Sequence, residues 1–434
     1  MVGMLERRKP LDLLFPLKGN ARSTVASEPS KPTTLSRFRA GVTLAKDAVK
    51  AVSVTAMEAI REGAQFIGIV GEKNELVDPF AHLDAPIWSE NPPHELYKLA
   101  YRYCEELTMR EAGNFYHSFK YLPDEQRFAM CAIYAFCRRA DDIADGDWSD
   151  RFPGSKGALD PEAVEYREQL ESLQDLSTII DTEAYEKKIS QLFFFRKKLS
   201  TCYTEVYSTD PVFLALKDTV ERYNISKQHF DDLITGMEDD LYHNRYRTFE
   251  ELYLYCYRVA SVVGLMCIEI YGYEDPRAKK FAESWGIFMQ LTNVLRDVGE
   301  DIQRDRIYLP LDELERNKMT AEELEGRIVV NKHWEPYCHH YAKRARTYLE
   351  EARQLLPLLP RRTRYSPAAM IAFYDKILRQ IEKQQGDVFT TRVKLNPVQK
   401  ISLAAAVYLR HRFLPAFLDP IWAGLARIGI LPAV

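Results

Sequence analysis

A short acidic stretch, NVLRDVGED, occupies residues 293–301. Within it Asn293, Asp297 and Asp301 recur at every fourth residue. Because a helix turns about 100° per residue, these three oxygen-bearing side chains would share one helical face. Like charges at this spacing destabilise an isolated helix by a few tenths of a kcal/mol, so the repulsion needs an offset. A bound cation would supply that offset.

A second acidic stretch, CRRADDIAD at residues 137–145, repeats the same spacing. Asp141 and Asp145 are four residues apart, and Arg138 lies three residues before Asp141, on nearly the same face. The solvated face of an amphipathic helix would explain one such motif, since apolar residues lie opposite the acids. The repetition of the motif favours a chemical role.

The sequences that flank both motifs favour an internal position. FAMCAIYAFC precedes the first motif, and WGIFMQLTNVL leads into the second. Helices with such flanks are expected to be buried on most sides, so that their acids line a cavity. Gly299, inside the second motif, costs about 1 kcal/mol relative to alanine in a helix. This cost fits a position where a ligand or another backbone segment comes close.

Clustered carboxylates in a cavity must be protonated or neutralised by cations. Ligand sets made only of oxygen suit Mg²⁺, which keeps several waters and shares its shell with phosphate groups. The two motifs therefore predict a Mg²⁺ cluster that holds a diphosphate, with Mn²⁺ as an alternative ion. The His and Cys ligands of a zinc site do not accompany these acids.

Helices are the elements that must position the two motifs. From about residue 95 to 390, apolar residues follow a helical period, and we find no strand pattern, hairpin pattern or glycine-rich phosphate loop. We therefore predict one large all-α domain over residues 93–395. Residues 1–92 are predicted to form an extension, composed of a disordered segment, one helix and a proline-containing linker over 77–95.

The C-terminal tail, residues 396–434, is apolar but is interrupted by arginines and prolines. It lacks the roughly 20 uninterrupted apolar residues of a membrane-spanning helix. Two interpretations fit equally well. The tail is either an interfacial helix, with Trp422 and snorkelling arginines at a membrane surface, or it packs against the protein itself.

Composition excludes several classes of function. The net charge is −4, which gives no support to nucleic-acid binding. Seven scattered cysteines without a CxxC pair argue against a disulfide framework or structural zinc, and they fit a reducing compartment. Residues 1–37 do not form a signal peptide. We predict a cytoplasmic location, peripheral on a membrane if the tail binds one, with a plastid as the alternative if this segment is a transit peptide.

Four stretches resemble, in order and spacing, the motifs of the squalene/phytoene synthases: FCRRADDIAD, GMEDDL, YLYCYRVASVVGLM and QLTNVLRDVGEDIQRDRIYLP. The resemblance covers roughly residues 98–385. It implies the isoprenoid-synthase helical bundle around a central hydrophobic tunnel. It also implies the Mg²⁺-dependent head-to-head condensation of two allylic prenyl diphosphates, through a cyclopropylcarbinyl diphosphate.

The resemblance further implies roles for individual residues, residue by residue along the matching motifs. The implied metal ligands are Asp141, Asp145, Asn293, Asp297 and Asp301. The implied substrate contacts and catalytic polar groups are Arg138, Phe115, Phe119, Asn114, Arg306, Gly264, Tyr255 and Tyr308. This chain departs from many relatives, which have serines at the positions of Ala112 and Asn114. Glu238, Asp239 and Asp240 are expected to support the site or the fold.

The length of the substrate depends on the depth of the tunnel, which the motifs do not give. DVGED is more similar to phytoene, dehydrosqualene and presqualene-type enzymes than to eukaryotic squalene synthases, and there is no dinucleotide fingerprint. We therefore expect no NADPH-dependent reduction. We favour two geranylgeranyl diphosphates and phytoene, with two farnesyl diphosphates and presqualene diphosphate, squalene or dehydrosqualene as the alternative.

Two other classes of protein share some of these features. A terpene cyclase of the same fold would use one diphosphate substrate, so the paired motifs and the RIYLP stretch weigh against it. A non-catalytic helical protein that binds lipid or serves assembly would be expected to have lost a motif carboxylate, and every one is present here.

Overall fold

The computed structural model describes residues 76–83, 87–88, 90–148, 157–173, 181–325 and 332–413. These residues are helical almost throughout, as the periodicity predicted. Two short strands among them, β1 Ile87–Trp88 and β2 Tyr207–Ser208, pair antiparallel. The predicted disordered segment and the predicted helix of the N-terminal extension lie outside the described residues.

The described α-helices form one packed bundle with a common core. In chain order they are α1 His94–Glu111, α2 Gly113–Phe119, α3 Asp124–Asp145, α4 Pro161–Glu171, α5 Thr182–Ser200, α6 Pro211–Tyr223, α7 Lys227–Tyr242, α8 Phe249–Cys256, α9 Val262–Tyr271, α10 Arg277–Gln303, α11 Leu311–Arg316, α12 Ala321–Glu325, α13 Trp334–Arg353, α14 Tyr365–Lys383 and α15 Pro397–Phe413.

Helix α3 carries the first acidic motif and has clear start and stop signals. Pro123 precedes it, and Asp124 and Glu125 lie in its first turn, where acids interact favourably with the helix dipole. The helix ends at Gly146, whose φ of 90° closes the last turn with backbone bonds to the carbonyls of Asp142 and Ile143. The stop therefore places Asp141 and Asp145 at the end of α3.

Helix α10 carries the second motif and packs against α13 and α14 on one side. On another side it packs against α9, which also packs against α3. Helix α9 therefore connects the two helices that carry the acidic motifs.

A π-helical turn, Tyr257–Ser261, joins α8 to α9. Glycines of the neighbouring helices face this turn. A Cβ at Gly286 of α10 would lie 2.6 Å from the carbonyl carbon of Ala260, and one at Gly236 of α7 would lie 2.8 Å from Val259 Cγ1. These separations are shorter than van der Waals contact, so only glycine allows α7 and α10 to approach the turn this closely.

The proline-containing stretch before α1 packs on the bundle, where the sequence suggested a linker. Phe80 is fully buried, and its ring meets the Trp88 ring edge-on at 5.7 Å. Trp88 lies in β1, which pairs with β2 between α5 and α6. An isolated stretch shows no sign of this packing, because its partners lie more than a hundred residues further along the chain.

The described part of the apolar tail, α15, packs on α14 and α2. Val407 is fully buried, and the Tyr408 ring lies 4.9 Å from Tyr121 and 5.2 Å from Tyr365. Residues 397–413 therefore follow the second of the two interpretations, packing against the protein itself. Trp422 lies outside the described residues.

One helical stretch of the described chain, Phe249–Tyr271, is long and apolar enough to cross a membrane. It includes α8, the π turn and α9, and 56% of its apolar window is buried inside the protein. Burial of this kind is also found in the core helices of proteins that do not span membranes.

Candidate active site

The first acidic motif lies in the last two turns of α3. The Arg138 guanidinium lies 3.3 Å from Asp141 Oδ2 and 2.6 Å from Asp142 Oδ1, so it bridges two neighbouring carboxylates of the motif. The Asp141 side chain keeps 51% of its surface accessible, which leaves it open to a ligand.

In the second motif, two arginines surround the Asp297 carboxylate. Arg296 donates to both of its oxygens at 2.7 and 2.5 Å, and Arg392 Nε donates to Oδ1 at 2.8 Å. Arg392 also reaches Glu300 Oε2 at 2.8 Å. One turn before Asp297, the Oδ1 atom of Asn293 is buried without a hydrogen-bond partner.

Two arginines that follow α10 connect the motifs. Arg304 Nη1 lies 3.9 Å from Asp145 Oδ2, and Arg306 Nη1 lies 3.8 Å from Asp145 Oδ1. A tight turn places them there: the amides of both arginines donate to the Asp301 carbonyl at 2.9 Å, and Asp305 adopts a φ of 58°. The end of α3 and the turn that follows α10 therefore lie next to each other, and a metal cluster shared by the two motifs stays a prediction.

The electrostatics of both motifs show an excess of negative charge. Asp141 is only half exposed, and this partial loss of water, together with the charge of Asp145, raises its pKa to about 6. Burial, together with the charge of Asp297, raises the pKa of Asp301 to about 7. The nearby arginines oppose these shifts without cancelling them. A cation bound between the motifs would favour the ionised form of each carboxylate.

The donor set fits a hard divalent cation in its chemistry, since it consists of carboxylates and one amide oxygen. The unpartnered Oδ1 of Asn293 supports this, because a buried acceptor without a partner is costly unless a ligand satisfies it. Within the described ranges, no three His, Cys, Asp or Glu side chains converge closely enough to hold a metal together. The ligand assignment therefore remains a prediction for all five residues.

A cluster of tyrosines lies beside the arginines. Tyr308 Oη donates to Asp240 Oδ1 at 2.9 Å, and Tyr255 Oη donates to Asp240 Oδ2 at 3.0 Å. The two rings stack with centroids 5.0 Å apart. Tyr246 stacks on Tyr308 with centroids 5.6 Å apart. The resemblance placed Tyr255 and Tyr308 near the reacting centre, and the structure brings them together on one carboxylate.

A cavity of about 390 Å³ opens between the helices that carry the motifs. Phe115 of α2 and Tyr134 of α3 line one side, and Asn293 and Arg296 of α10 line another. Basic side chains dominate its polar part. These are Arg296, Arg392, Lys394 and Lys400, against the single carboxylate of Glu111. Apolar rings and cations in one cavity suit a ligand with an apolar chain and an anionic head.

The other predicted substrate contacts divide into three cases. Phe115 lines the cavity, whereas Phe119 is buried in the core behind it, with ring centroids 6.3 Å apart. A Cβ on Gly264 would lie 2.7 Å from the Ala282 carbonyl oxygen, so this glycine permits close approach of α10, and a substrate contact stays a prediction. Asn114 lies in α2, and its side chain lies outside the described part of the structure.

Two acids of the GMEDDL stretch have structural partners, as expected. Glu238 accepts from Arg196 at 2.9 Å and from Tyr166 at 2.7 Å. Asp239 pairs with Arg258 at 2.5 Å. These bonds connect α7 to α5, to α4 and to the π turn.

The sequence reasoning missed Arg392, Arg296 and the role of Asp240 as the partner of both tyrosines. Arg392 lies in the irregular segment between α14 and α15, ninety-five residues from Asp297 in the chain. No spacing rule relates two positions that far apart. Arg296 could have been proposed from the sequence, since it immediately precedes Asp297 in the motif.

Comparisons with known proteins identify the family of the chain. A family profile described as squalene/phytoene synthase matches residues 108–399. Phytoene synthase 2, chloroplastic, from Oryza sativa subsp. japonica is 34% identical over 382 residues, which covers 85% of each chain. The 15-cis-phytoene synthase of Synechococcus elongatus is 33% identical over 327 residues, covering 73% of this chain and 94% of the relative.

Solved structures of related proteins have the same fold. A dehydrosqualene synthase crystallised with a ligand superposes with a TM-score of 0.59 at 27% identity, over 73% of this chain and 98% of that one. The squalene synthase HpnC from Alicyclobacillus acidocaldarius superposes with a TM-score of 0.55 at 24% identity, over 68% of this chain and 97% of that one. The predicted all-α bundle is therefore confirmed. The chain belongs to the squalene/phytoene synthase family and is a prenyltransferase of that type, which joins prenyl diphosphates head to head.

Proposed function

We propose that this protein condenses two geranylgeranyl diphosphates to phytoene in a Mg²⁺-dependent reaction. The observation that supports this most is the meeting of the two acidic motifs, through Arg304 and Arg306, at Asp145. The preference for a C20 substrate rests on the relatives from rice and Synechococcus, both named phytoene synthases.

Five residues of the two motifs would hold Mg²⁺, which when bound neutralises charge on a departing diphosphate. They are Asp141, Asp145, Asn293, Asp297 and Asp301. Arginines suit the diphosphate itself, because their planar guanidinium presents paired donors to phosphate oxygens. Arg138 at the first motif and Arg296 and Arg392 at the second would take this role.

The reaction begins when the C–O bond of one substrate ionises to an allylic cation. The double bond of the second substrate attacks that cation, and loss of a proton closes a cyclopropane ring. A second ionisation with rearrangement then gives the linear product. The chain must exclude water throughout, since water would convert the cation to an alcohol. Phe115 and Tyr134, which line the cavity, supply apolar surface for the prenyl chain.

The condensation of two C15 substrates is the second candidate, because one structural comparison favours it. The dehydrosqualene synthase structure superposes on this chain over 98% of its own length. Two farnesyl diphosphates would then give presqualene diphosphate and a product of the squalene or dehydrosqualene type.

One incubation separates these outcomes. Purified full-length protein with Mg²⁺ receives either farnesyl or geranylgeranyl diphosphate, and hexane extracts are analysed by mass spectrometry. We expect a C40 product from geranylgeranyl diphosphate, in the same yield with and without NADPH. A C30 product would establish the alternative. A cyclised C15 or C20 product would indicate a terpene cyclase, and absence of any product would contradict an enzymatic function.

Membrane contact is part of the proposal, because the product is apolar and the tail beyond α15 is rich in apolar residues, with Trp422 and Arg427 among them. The proposed location is cytoplasmic, and a plastid is the alternative if residues 1–37 are a transit peptide. Two plant relatives are named chloroplastic. Expression of residues 1–75 fused to a fluorescent protein in plant cells distinguishes the two: fluorescence confined to plastids would establish the alternative.

A further inference from the structure

Asp240 occupies the end of α7, where three parts of the chain meet. Tyr255 comes from α8, and Tyr308 comes from the segment that follows α10. Both hydroxyls donate to the Asp240 carboxylate, one to each oxygen, at 3.0 and 2.9 Å. Both tyrosines are buried. The two phenolic protons therefore point at Asp240, and each phenol oxygen keeps lone pairs free to accept another proton.

The group lies between the two acidic motifs. Tyr308 lines a small cavity together with Arg306 and Asp301. Asp240 is close enough to Asp141 and to Asp301 for its charge to affect both carboxylates, and Arg306 faces it with the opposite charge. Burial raises the pKa of Asp240 to about 6, with the charge of Arg306 and both tyrosine hydrogen bonds opposing the shift.

A purely structural role explains this arrangement poorly. The adjacent Asp239 forms an ion pair with Arg258 and accepts a hydrogen bond from Tyr242. By contrast, Asp240 has no ion pair with any described residue, and its hydrogen bonds come from two neutral phenols. A half-buried carboxylate without an ion pair costs stability, and an apolar group of similar size would pack at this position without that cost. Its presence so close to the motifs calls for a chemical reason.

The reaction under Proposed function contains a step that needs such a group. When the cyclopropane ring closes, a C–H bond of the substrate breaks and its electron pair forms the new C–C bond. The released proton needs an acceptor inside a cavity that excludes water. A phenol oxygen can take this proton only if its own proton leaves at the same time. The geometry at Tyr255 and Tyr308 provides that exit, since both hydroxyls already donate to a carboxylate.

We infer that Asp240 is a positioning residue that orients the hydroxyls of Tyr255 and Tyr308 and receives the phenolic proton when one of them accepts the proton lost during cyclopropane formation. The inference rests on the proposed head-to-head reaction. The proton transfers balance. The substrate proton moves to a phenol oxygen, and the phenolic proton moves to an oxygen of Asp240. No other reactant is required.

The test compares Asp240→Asn and Asp240→Glu with the wild type, and uses Tyr341→Phe as a matched control. Tyr341 of α13 lies outside the candidate site, and its buried hydroxyl has no hydrogen-bond partner among the described residues, so its loss should leave activity within about twofold of wild type. Each protein is incubated with Mg²⁺ and the prenyl diphosphate that the wild type uses. Release of pyrophosphate, condensed product and prenyl alcohol are measured separately, with kcat and KM for condensation.

Ionisation does not need the proton acceptor, whereas ring closure does. We therefore expect Asp240→Asn to keep Mg²⁺-dependent release of pyrophosphate but to lower kcat for condensation by roughly 100-fold, as loss of a general base does. KM should stay within about twofold, and prenyl alcohol should replace the condensed product. Asp240→Glu should recover part of the condensation. Tyr255→Phe or Tyr308→Phe should shift the products in the same direction.

Three outcomes would overturn the inference. The first is an unchanged ratio of condensed product to alcohol in Asp240→Asn. The second is a loss of pyrophosphate release in proportion to condensation, accompanied by a lower melting temperature, which would indicate a structural role. The third is a wild type that releases no pyrophosphate from either substrate. Only the third outcome also refutes the proposed function. The experiment therefore distinguishes failure of the role of Asp240 from failure of the proposed function.

Discussion

At the scale of single residues, the four-residue spacing of acids predicted that the members of each motif share one helical face. The turn after Asp301 carries Arg306, whose guanidinium lies 3.8 Å from Asp145. The spacing did not predict the partners. Asp297 accepts from Arg296 and from Arg392, and Arg392 comes from a segment without regular structure. Contacts of that kind depend on the path of the whole chain, which local periodicity does not contain.

Replacing Asp141 or Asp297 with asparagine tests the ligand assignment. Asparagine preserves the shape of the side chain but removes the negative charge that a divalent cation requires. We expect each variant to lose turnover, with the far-ultraviolet circular dichroism of the wild type. Asp232→Asn is a suitable control, because among the described residues Asp232 accepts a side-chain hydrogen bond only from Gln228, one turn earlier in α7. Activity near wild type in either site variant would refute the assignment.

The raised pKa of Asp301 predicts how stability depends on pH in the metal-free protein. Its ordinary value is 3.8 and its folded value is about 7, so folding disfavours the ionised form. The stability that the protonated carboxyl supports is complete below pH 4 and is lost as the pH rises through 7. Asp301→Asn does not ionise. It should therefore exceed the wild type at pH 8 by roughly 1 to 2 kcal/mol after solvent screening, and equal it at pH 4.

Urea unfolding in the presence of EDTA measures this difference. The same titration with excess Mg²⁺ is its control, since bound cation stabilises the wild type and should remove the advantage of the variant. A variant that is less stable than the wild type at pH 8 without metal would contradict the predicted direction.

At the scale of elements, the apolar period predicted the helices, but the sequence analysis did not predict where each of them ends. The glycine of the second motif also agrees with its prediction. A Cβ on Gly299 would lie 2.9 Å from the Val388 carbonyl oxygen, so another backbone segment does come close. The π turn and the glycines that face it were not predicted. These glycines are required because two backbones approach closely. The sequence of one helix does not reveal which other segment approaches it.

Gly286→Ala tests the importance of that approach. The added methyl group would collide with the backbone of the π turn, 2.5 Å from the Ser261 nitrogen. Because neither helix can move without disturbing the core, we expect a destabilisation of roughly 2 to 3 kcal/mol, in the upper range for overpacking. Lys280→Ala on the exposed side of α10 is the control and should change stability little. Wild-type stability in Gly286→Ala would show that α9 and α10 can separate freely.

At the scale of the whole molecule, packing extends beyond both ends of the predicted domain of residues 93–395. Phe80 enters the core from before it, and α15 covers α14 and α2 after it. Composition identified these segments as a linker and a tail, because their packing partners lie far away in the sequence. The helical class and the family were both readable from the chain alone, whereas the role of the acids stays a prediction.

Two truncations separate the packed part of the tail from the rest. Removal of residues 414–434 should leave the melting temperature unchanged and reduce co-flotation with anionic vesicles. Removal of residues 398–434 also deletes most of α15, including the fully buried Val407, and should lower the melting temperature by several degrees. Unchanged flotation after the shorter truncation would contradict the membrane proposal. Unchanged stability after the longer one would contradict the packing of α15.

We propose above all that both acidic motifs bind diphosphate through shared divalent cations. Crystals of the protein soaked with Mn²⁺ and a non-ionisable geranylgeranyl thiodiphosphate test this most directly, by anomalous diffraction at the manganese edge. We predict anomalous manganese peaks beside two groups of residues, with the thiodiphosphate between them. One group is Asp141 and Asp145, and the other is Asn293, Asp297 and Asp301. Manganese absent from both motifs, while the ligand occupies the cavity, would contradict this proposal.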